Sequence, residues 1–243
     1  MTRHYITAVV GALTALTLIA APAHAQSVDD IVARHIKSRG GAEAIRAVQS
    51  QRITGTVQTQ GIELQMVMVS QRPHASRQDL TLEIPGQGPV QIVSVYDGKA
   101  AWTINPMLGG TSPVDVTGRD AEMMRDQSEM DSPLVDYRAK GYDVQLAGTE
   151  NVGTRPAHKL RVARPQRDVA FHFIDVETGV ELKIAGDAPG APVVEFSDHR
   201  PVATAGLVPY QMRIQQGGQP EVVVVITQVE FNVPLDDALF RRP

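Results

Sequence analysis

Hydrophobic and polar residues alternate along residues 62–106 in a way that predicts antiparallel strands joined by short turns. Three apolar, β-branched runs of strand length lie there between Pro, Gly and Asp-Gly breaks. One face of the first run carries only apolar side chains. They are Ile62, Leu64, Met66 and Met68. The opposite face begins polar and becomes apolar, which predicts that another part of the chain covers the sheet at that end.

The strongest local turn signal in this region is the dipeptide Asp97-Gly98, which separates two apolar runs. Asp-Gly suits a type I′ hairpin, because both central residues of that turn must tolerate a positive φ. The sequence therefore predicts a hairpin here, with the only tryptophan, Trp102, on its second strand.

The same reading of the rest of the chain predicts about ten strands in total and several short helices. The helices are Ser27–Lys37, Ala42–Val48, Asp120–Met130 and Pro133–Lys140. The further strands are Ile53–Thr59, Ala75–Ile84, Asp143–Leu146, Ala157–Ala163, Val169–Asp175, Val180–Ile184, Val193–His199, Val208–Gln216 and Glu221–Phe231. We expect a mainly β, α+β domain in which a curved antiparallel sheet has one apolar concave face.

The helical residues 120–140 carry apolar side chains that suit an adaptable cover for that face, because methionine packs against many shapes. Ordinary packing on a sheet explains the same side chains, and the two interpretations agree if the helices form a lid. The candidate residues for a ligand cavity come from the sheet and this lid. They are Leu64, Met66, Met68, Trp102, Met123, Met124, Met130 and Leu134.

The first 25 residues have the pattern of a secretory signal peptide. Arg3 precedes an uncharged run, Ala8–Ala21, which is shorter than the roughly 20 residues that span a bilayer, and Ala23-His24-Ala25 is a cleavage pattern. We expect a single domain over residues 26–243, exported to the periplasm, with no transmembrane segment after cleavage. Without cysteines the fold must depend on its hydrophobic core. A formal charge of −4 with no basic run argues against a nucleic-acid partner.

Motifs for catalysis, cofactors or metals are missing from the sequence. The histidines after the leader are scattered, without metal-binding spacing, and no nucleophile elbow, phosphate-binding loop or dinucleotide-binding pattern occurs. His35 falls on the apolar side of the first helix and is expected to be packed. His172, between Phe171 and Phe173, is expected on the solvent face. The sequence thus predicts no catalytic residue, no cofactor and no metal site, and the protein is not expected to be an enzyme.

Two strings in the organising region resemble the LolA-like family of periplasmic lipoprotein carriers and their uncharacterised homologues. They are V-S-Q-R-P at Val69–Pro73 and D-G-K-A-A-W-T-I-N-P at Asp97–Pro106. Later strings are similar to the homologues. These are Ser132–Tyr137, Ser197–Val202 and Phe231–Phe240. The resemblance implies a half-open β-barrel whose concave face is plugged by short helices. It also implies that Arg72, just before the proline of the first string, bonds to the helical lid and locks the empty cavity.

The functional hypothesis is a periplasmic carrier or binder of acyl chains or other apolar ligands. The resemblance extends this to sorting of lipoproteins to the outer membrane, with partner proteins at the inner and outer membranes. The alternative is an envelope sensor or scaffold that binds a protein partner through the same sheet. Departures from the dedicated carrier, in Ser38–Ile45 and in the long second half, make the sheet a firmer expectation than the cargo.

Overall fold

The computed structural model of the protein describes residues 26–243, and a single antiparallel sheet of 13 strands dominates it. The predicted signal peptide and its cleavage site lie outside these residues and stay a prediction. The strands are β1 (Ser50–Thr59), β2 (Ile62–Gln71), β3 (Ala75–Ile84), β4 (Gly88–Tyr96), β5 (Ala101–Ile104), β6 (Val114–Val116), β7 (Asp143–Val152), β8 (Arg155–Ala163), β9 (Ala170–Asp175), β10 (Glu181–Gly186), β11 (Val193–Val202), β12 (Gly206–Gln215) and β13 (Val222–Phe231).

Strand order in the sheet follows chain order in two meanders that meet in the middle. The order is β6-β5-β4-β3-β2-β1-β13-β12-β11-β10-β9-β8-β7, so pairing of β1 with β13 joins the two halves. Strands β6 and β7 form the edges of the described sheet, which therefore stays open as a curved half-barrel. This confirms the expected fold class. The segment that connects β6 to β7 runs between the two edges.

A bulge in β13 interrupts the central pairing, because Thr227 lies unpaired between Ile226, opposite Gly55, and Gln228, opposite Thr54. The register between β1 and β13 shifts between Thr54 and Gly55. A Cβ on Gly55 would lie 2.2 Å from the carbonyl oxygen of Val225, so only glycine fits where the two backbones approach. The bend and added twist that accompany a bulge help a wide sheet to curve.

Three short helices accompany the sheet. They are α1 (Val28–Ser38), α2 (Ala42–Ala47) and α3 (Gly118–Gln127). Helix α1 begins as predicted, because the Ser27 hydroxyl accepts from the Asp30 backbone N–H while the Asp30 carboxylate accepts from the Ser27 backbone N–H. No helix within residues 26–243 combines the length and apolarity needed to cross a membrane.

The predicted helix Pro133–Lys140 is wrong, because these residues form consecutive turns. Asp136 adopts a left-handed φ of 52°, which interrupts the helical hydrogen-bond series. The Val135 N–H instead donates to the Ser132 carbonyl three residues earlier. We call residues 117–142, which comprise α3 and these turns, the lid segment.

Two details of the strand prediction also need correction. The estimate of about ten strands is too low, and β6 lies in a segment for which no strand is predicted. The hairpin between β4 and β5 is confirmed, but its turn is not type I′, because only Gly98 has a positive φ. The Asp97 carboxylate instead accepts from the backbone N–H groups of Lys99 and Ala100, so a side chain organises the turn.

Candidate functional site

The inner face of the half-barrel is the face that carries Met66. Side chains of residues directly opposite each other on antiparallel strands point to the same face. Met66 lies opposite Leu80, and Leu80 lies opposite Ile92. Leu64, two residues from Met66 on β2, points to the same face and lies opposite Val57. Val57 lies opposite Val224, which in turn lies opposite Met212. One apolar surface therefore spans both halves of the sheet.

Helix α1 covers the far part of this same face. A second chain of opposite residues connects Ile214 through Val194, Ile184 and His172 to Leu160. There Ile31 and Val32 of α1 pack with Leu134 and Tyr137 of the lid segment. They meet four side chains of the sheet. These are Val144, Leu160, Val162 and Ile174. The inner face thus has a part that helices cover.

The other part of the inner face is an apolar cluster that contains only strand side chains. We call this cluster the sheet patch. Its buried members are Val57, Met66, Val224 and Ile226, and the half-buried ones include Ile53, Leu80, Met212 and Ile214. No side chain from α1, α2 or the lid segment belongs to this cluster within residues 26–243. The sheet patch is therefore the part of the inner face on which no helix of residues 26–243 packs.

Arg72, at the end of β2, joins the sheet to the lid segment. Its Nη1 and Nη2 atoms donate to the two carboxylate oxygens of Asp131 at 2.9 and 2.6 Å. Its Nε and Nη2 also donate to the carbonyl oxygens of Val48 and Ile45 at 2.6 and 3.1 Å, at the end of α2. The hydrogen bond to Asp131 raises the pKa of Arg72. One guanidinium therefore holds α2, β2 and the lid segment together.

The predicted cavity residues lie on the inner face, in the lid segment and, for Trp102, on the outer face. Leu64, Met66 and Met68 share the inner face, and Leu134 is completely buried beside α1 on the same face. In the lid segment, Met130 lines a space of about 30 Å³ beside Arg72 and Asp131. Met124 is half-buried and Met123 is 48% exposed.

Trp102 does not belong with these residues. It lies opposite Val95, which lies opposite Arg77, and this row points to the outer face with Val69. There Phe240 from the C-terminal turn packs against it. Because side chains alternate along a strand, the position of Trp102 one residue away from the inner-face row places it outside the cavity.

A buried polar cluster beneath α1 was not foreseen. His172 points away from its phenylalanine neighbours as expected, but it is 3% exposed, so its predicted solvent-face position is wrong. Its Nδ1 lies 2.5 Å from the Glu181 carboxylate on β10. Burial alone would raise the pKa of Glu181, but His172, His35 of α1 and Arg39 just after α1 lower it.

His35 is buried, as the sequence predicts, and its Nδ1 lies 3.1 Å from the carbonyl oxygen of Gly179. Burial lowers the pKa of His35. Local patterns do not reveal this cluster, because α1 lies far before the neighbouring strands β9 and β10 in the chain. Within residues 26–243, no three histidine or acidic side chains are arranged to hold a metal ion.

Comparison of the sequence with protein-family models finds no match, and none of the curated proteins matches it. Three solved structures are similar across most of the chain. A DUF1329 family protein from Desulfovibrio piger is 16% identical, with a TM-score of 0.60 over 88% of this chain and 97% of its own. A LolA superfamily protein from Nitrosomonas europaea is 10% identical, with a TM-score of 0.58 over 88% and 96%.

A protein domain from Vibrio parahaemolyticus, described as outer membrane lipoprotein-sorting, is also 10% identical, with a TM-score of 0.59 over 87% of this chain and 97% of its own. At such identities the likeness concerns the fold. It agrees with the open sheet, the inner face and the short helices described above. The chain has a LolA-like fold.

Proposed function

We propose that the protein carries or binds acyl chains, or ligands of similar apolarity, on the sheet patch. The observation that supports this proposal is the composition of the patch, which joins side chains of five strands without a helix packed on it. A contiguous apolar surface without a covering element in the same chain commonly marks a binding site.

The driving force for such binding is burial of the ligand's methylene groups. Each buried CH₂ contributes about 0.8 kcal/mol, so an acyl chain of about 14 carbons contributes on the order of 10 kcal/mol before the costs of association. A dry cavity lined by flexible side chains such as Met66 and Met212 suffices for this. The activity that we propose therefore requires no catalytic group.

The lid segment and α1 cover the part of the inner face next to the sheet patch, so movement of the lid segment would enlarge the apolar surface available to a ligand. In the structure the space beside Met130, Arg72 and Asp131 measures about 30 Å³, which is too small for an acyl chain. The Arg72–Asp131 ion pair is less exposed than the Arg46–Asp136 and Arg138–Asp29 pairs that also hold the lid segment, so its rupture should favour movement of the lid segment most. In our proposal the structure represents the closed form and Arg72 is the lock.

The place of action that we propose is the periplasm. The leader pattern of residues 1–25 and the LolA-like fold support it. Lipoprotein acyl chains are then the first cargo to test, with donor and acceptor proteins at the inner and outer membranes. These steps extend the binding proposal and depend on it.

A pair of neighbouring variants tests the binding site itself. Leu80→Glu places a carboxylate on the half-buried inner face, whereas Val67→Glu places one on the outer face of the adjacent strand, where Val67 is 36% exposed. We expect Leu80→Glu to abolish binding of a fluorescent acyl probe and Val67→Glu to leave it unchanged, with circular dichroism confirming that both variants fold. Equal binding by all three proteins would refute the proposal, and a protein partner captured equally by all three would favour a scaffold instead.

A further inference from the structure

A second cavity, of about 500 Å³, lies between the lid segment and the turn that joins β8 to β9. Its charged walls come from α3, from the end of the lid segment and from that turn. They are Arg125, Asp126, Glu129, Lys140, Arg164 and Arg167. The volume falls within the range of small-molecule sites. We call this cavity the basic pocket.

The cations of the basic pocket outnumber its carboxylates. Four side-chain cations face two carboxylates, although the whole chain carries a formal charge of −4. Asp126 is shared, because Arg164 lies 3.2 Å and Arg167 lies 3.3 Å from its Oδ2 atom. Lys140 lies 2.7 Å from Glu129. Arg167 also lies 3.3 Å from Glu122, which is outside the cavity lining, so Arg125 is the cation of the pocket that has no carboxylate partner.

Two donors of the pocket also lack a partner. Arg125 is exposed and has no carboxylate within 4.0 Å among residues 26–243. The Nη2 atom of Arg167 is inaccessible to solvent and has no hydrogen-bond acceptor in the same part of the chain. Leaving a buried guanidinium donor unsatisfied is costly, so an anionic ligand that drew this nitrogen to the cavity surface and accepted its N–H would offset that cost.

We propose that the basic pocket binds the phosphate group of an acyl-bearing ligand. A phosphomonoester carries about −1.5 to −2 charges at pH 7 and three strong acceptor oxygens, which suit a lining in which four cations outnumber two carboxylates. A carboxylate offers one charge and two oxygens, so it compensates the pocket less well. Arginine side chains bind phosphate with paired N–H···O bonds, which adds geometric specificity.

The location of the basic pocket connects it to the sheet patch, and in this respect the inference rests on the proposed function. Tyr96 lines the pocket and lies opposite Ser76 on the inner face. Ile92 lies on the same face four residues earlier on β4, about 13 Å away at 3.3 Å per residue. A phosphate held beside Tyr96 can thus direct its acyl chains along the inner face toward Ile92 and Leu80.

The test compares three probes on the folded protein, which are dioctanoyl phosphatidic acid, dioctanoylglycerol and inorganic phosphate. Lipid binding is followed by displacement of a neutral fluorescent acyl probe, and phosphate binding by calorimetry. The variant is Arg125→Gln, which removes an exposed charge without a structural partner. Its control is Arg119→Gln on the same helix, where Arg119 is exposed and paired with Asp168.

We expect phosphatidic acid to bind about tenfold more tightly than dioctanoylglycerol, an advantage that Arg125→Gln reduces and that rising salt weakens. Arg119→Gln should change neither affinity. Equal affinities for the two lipids would overturn the phosphate inference and leave the proposed function intact. Binding of phosphate without either lipid would overturn the proposed function and retain an anion site. Absence of all binding would overturn both.

Discussion

Replacing Arg72 by leucine should release the lid segment from the sheet. The substitution removes two charge-assisted hydrogen bonds to Asp131 and two bonds to main-chain carbonyls at the end of α2. Leucine retains an apolar side chain of moderate size, so the change removes mainly polar contacts. The opening equilibrium of the lid segment should shift before the sheet itself unfolds.

The size of the effect follows from the burial of the pair. The Arg72 and Asp131 side chains are 25% and 16% exposed, so solvent screens them only in part. Hydrogen bonds to charged groups contribute about 1.5–3 kcal/mol each in favourable cases, and a partly screened pair should lose about 2 kcal/mol. That free energy corresponds to an increase of about 30-fold in the open population.

Hydrogen–deuterium exchange read by mass spectrometry measures this opening directly. Backbone bonds within the lid segment, such as Lys140 N–H to the Asp136 carbonyl, should exchange about 30-fold faster in Arg72→Leu. Arg46→Leu is the matched control, because Arg46 also pairs with the lid segment, at Asp136, but the two side chains are 54% and 47% exposed. Surface pairs of this kind contribute at most about 1 kcal/mol, so acceleration should stay below about fivefold.

Exchange at the wild-type rate in Arg72→Leu, or equal acceleration in both variants, would refute the locking role. Asp131→Asn separates the two duties of Arg72, because it weakens the ion pair while leaving the bonds to α2 in place. The double variant should open little further than Arg72→Leu alone, since both substitutions break the same interaction.

Three other predictions address the fold. Gly55→Ala should lower the free energy of unfolding by about 1–3 kcal/mol, and with it the urea midpoint, because its Cβ would lie 2.2 Å from a main-chain oxygen. The control Gly110→Ala, whose Cβ would have its nearest atom at 3.8 Å, should have little effect, and equal midpoints for the two variants would contradict the close approach at Gly55. Phe240→Ala should destabilise the protein by about 3 kcal/mol and shift Trp102 emission to the red, and an unchanged spectrum would argue against their packing. Burial lowers the pKa of His35 from its ordinary value of 6.5, so the stability contributed by neutral His35 is present above pH 6.5 and is lost as the pH falls below it. The difference in the free energy of unfolding between pH 7.5 and 5.5 should therefore be smaller in His35→Gln than in the wild type. An unchanged difference would contradict this account.

The strands and their inner face were accessible from the sequence, because alternation along a strand is a local property. The alternation of apolar residues from Ile62 to Met68 predicts which side chains of β2 share a face. The strand register confirms that Leu64, Met66 and Met68 do. The helix after Pro133 failed for an equally local reason. The apolar pattern suited a helix, but Asp136 adopts a left-handed conformation that the pattern does not encode.

Contacts between distant segments were less accessible. The partner of Arg72 lies 59 positions away, and only the fold brings Asp131 within reach. Trp102 was assigned to the cavity because it belongs to the same string as the hairpin, yet one step of alternation places it under the C-terminal turn. Likewise, His172 is buried because α1 returns over its strand, a contact that no local pattern could predict.

The central claim, that the sheet patch binds acyl chains, is tested most directly by native mass spectrometry of the mildly purified full chain mixed with defined acyl lipids. The account predicts a wild-type mass increased by one bound lipid, and a bare mass for Leu80→Glu under the same conditions. A bare wild-type mass with every lipid, or an equal lipid adduct on Leu80→Glu, would contradict it.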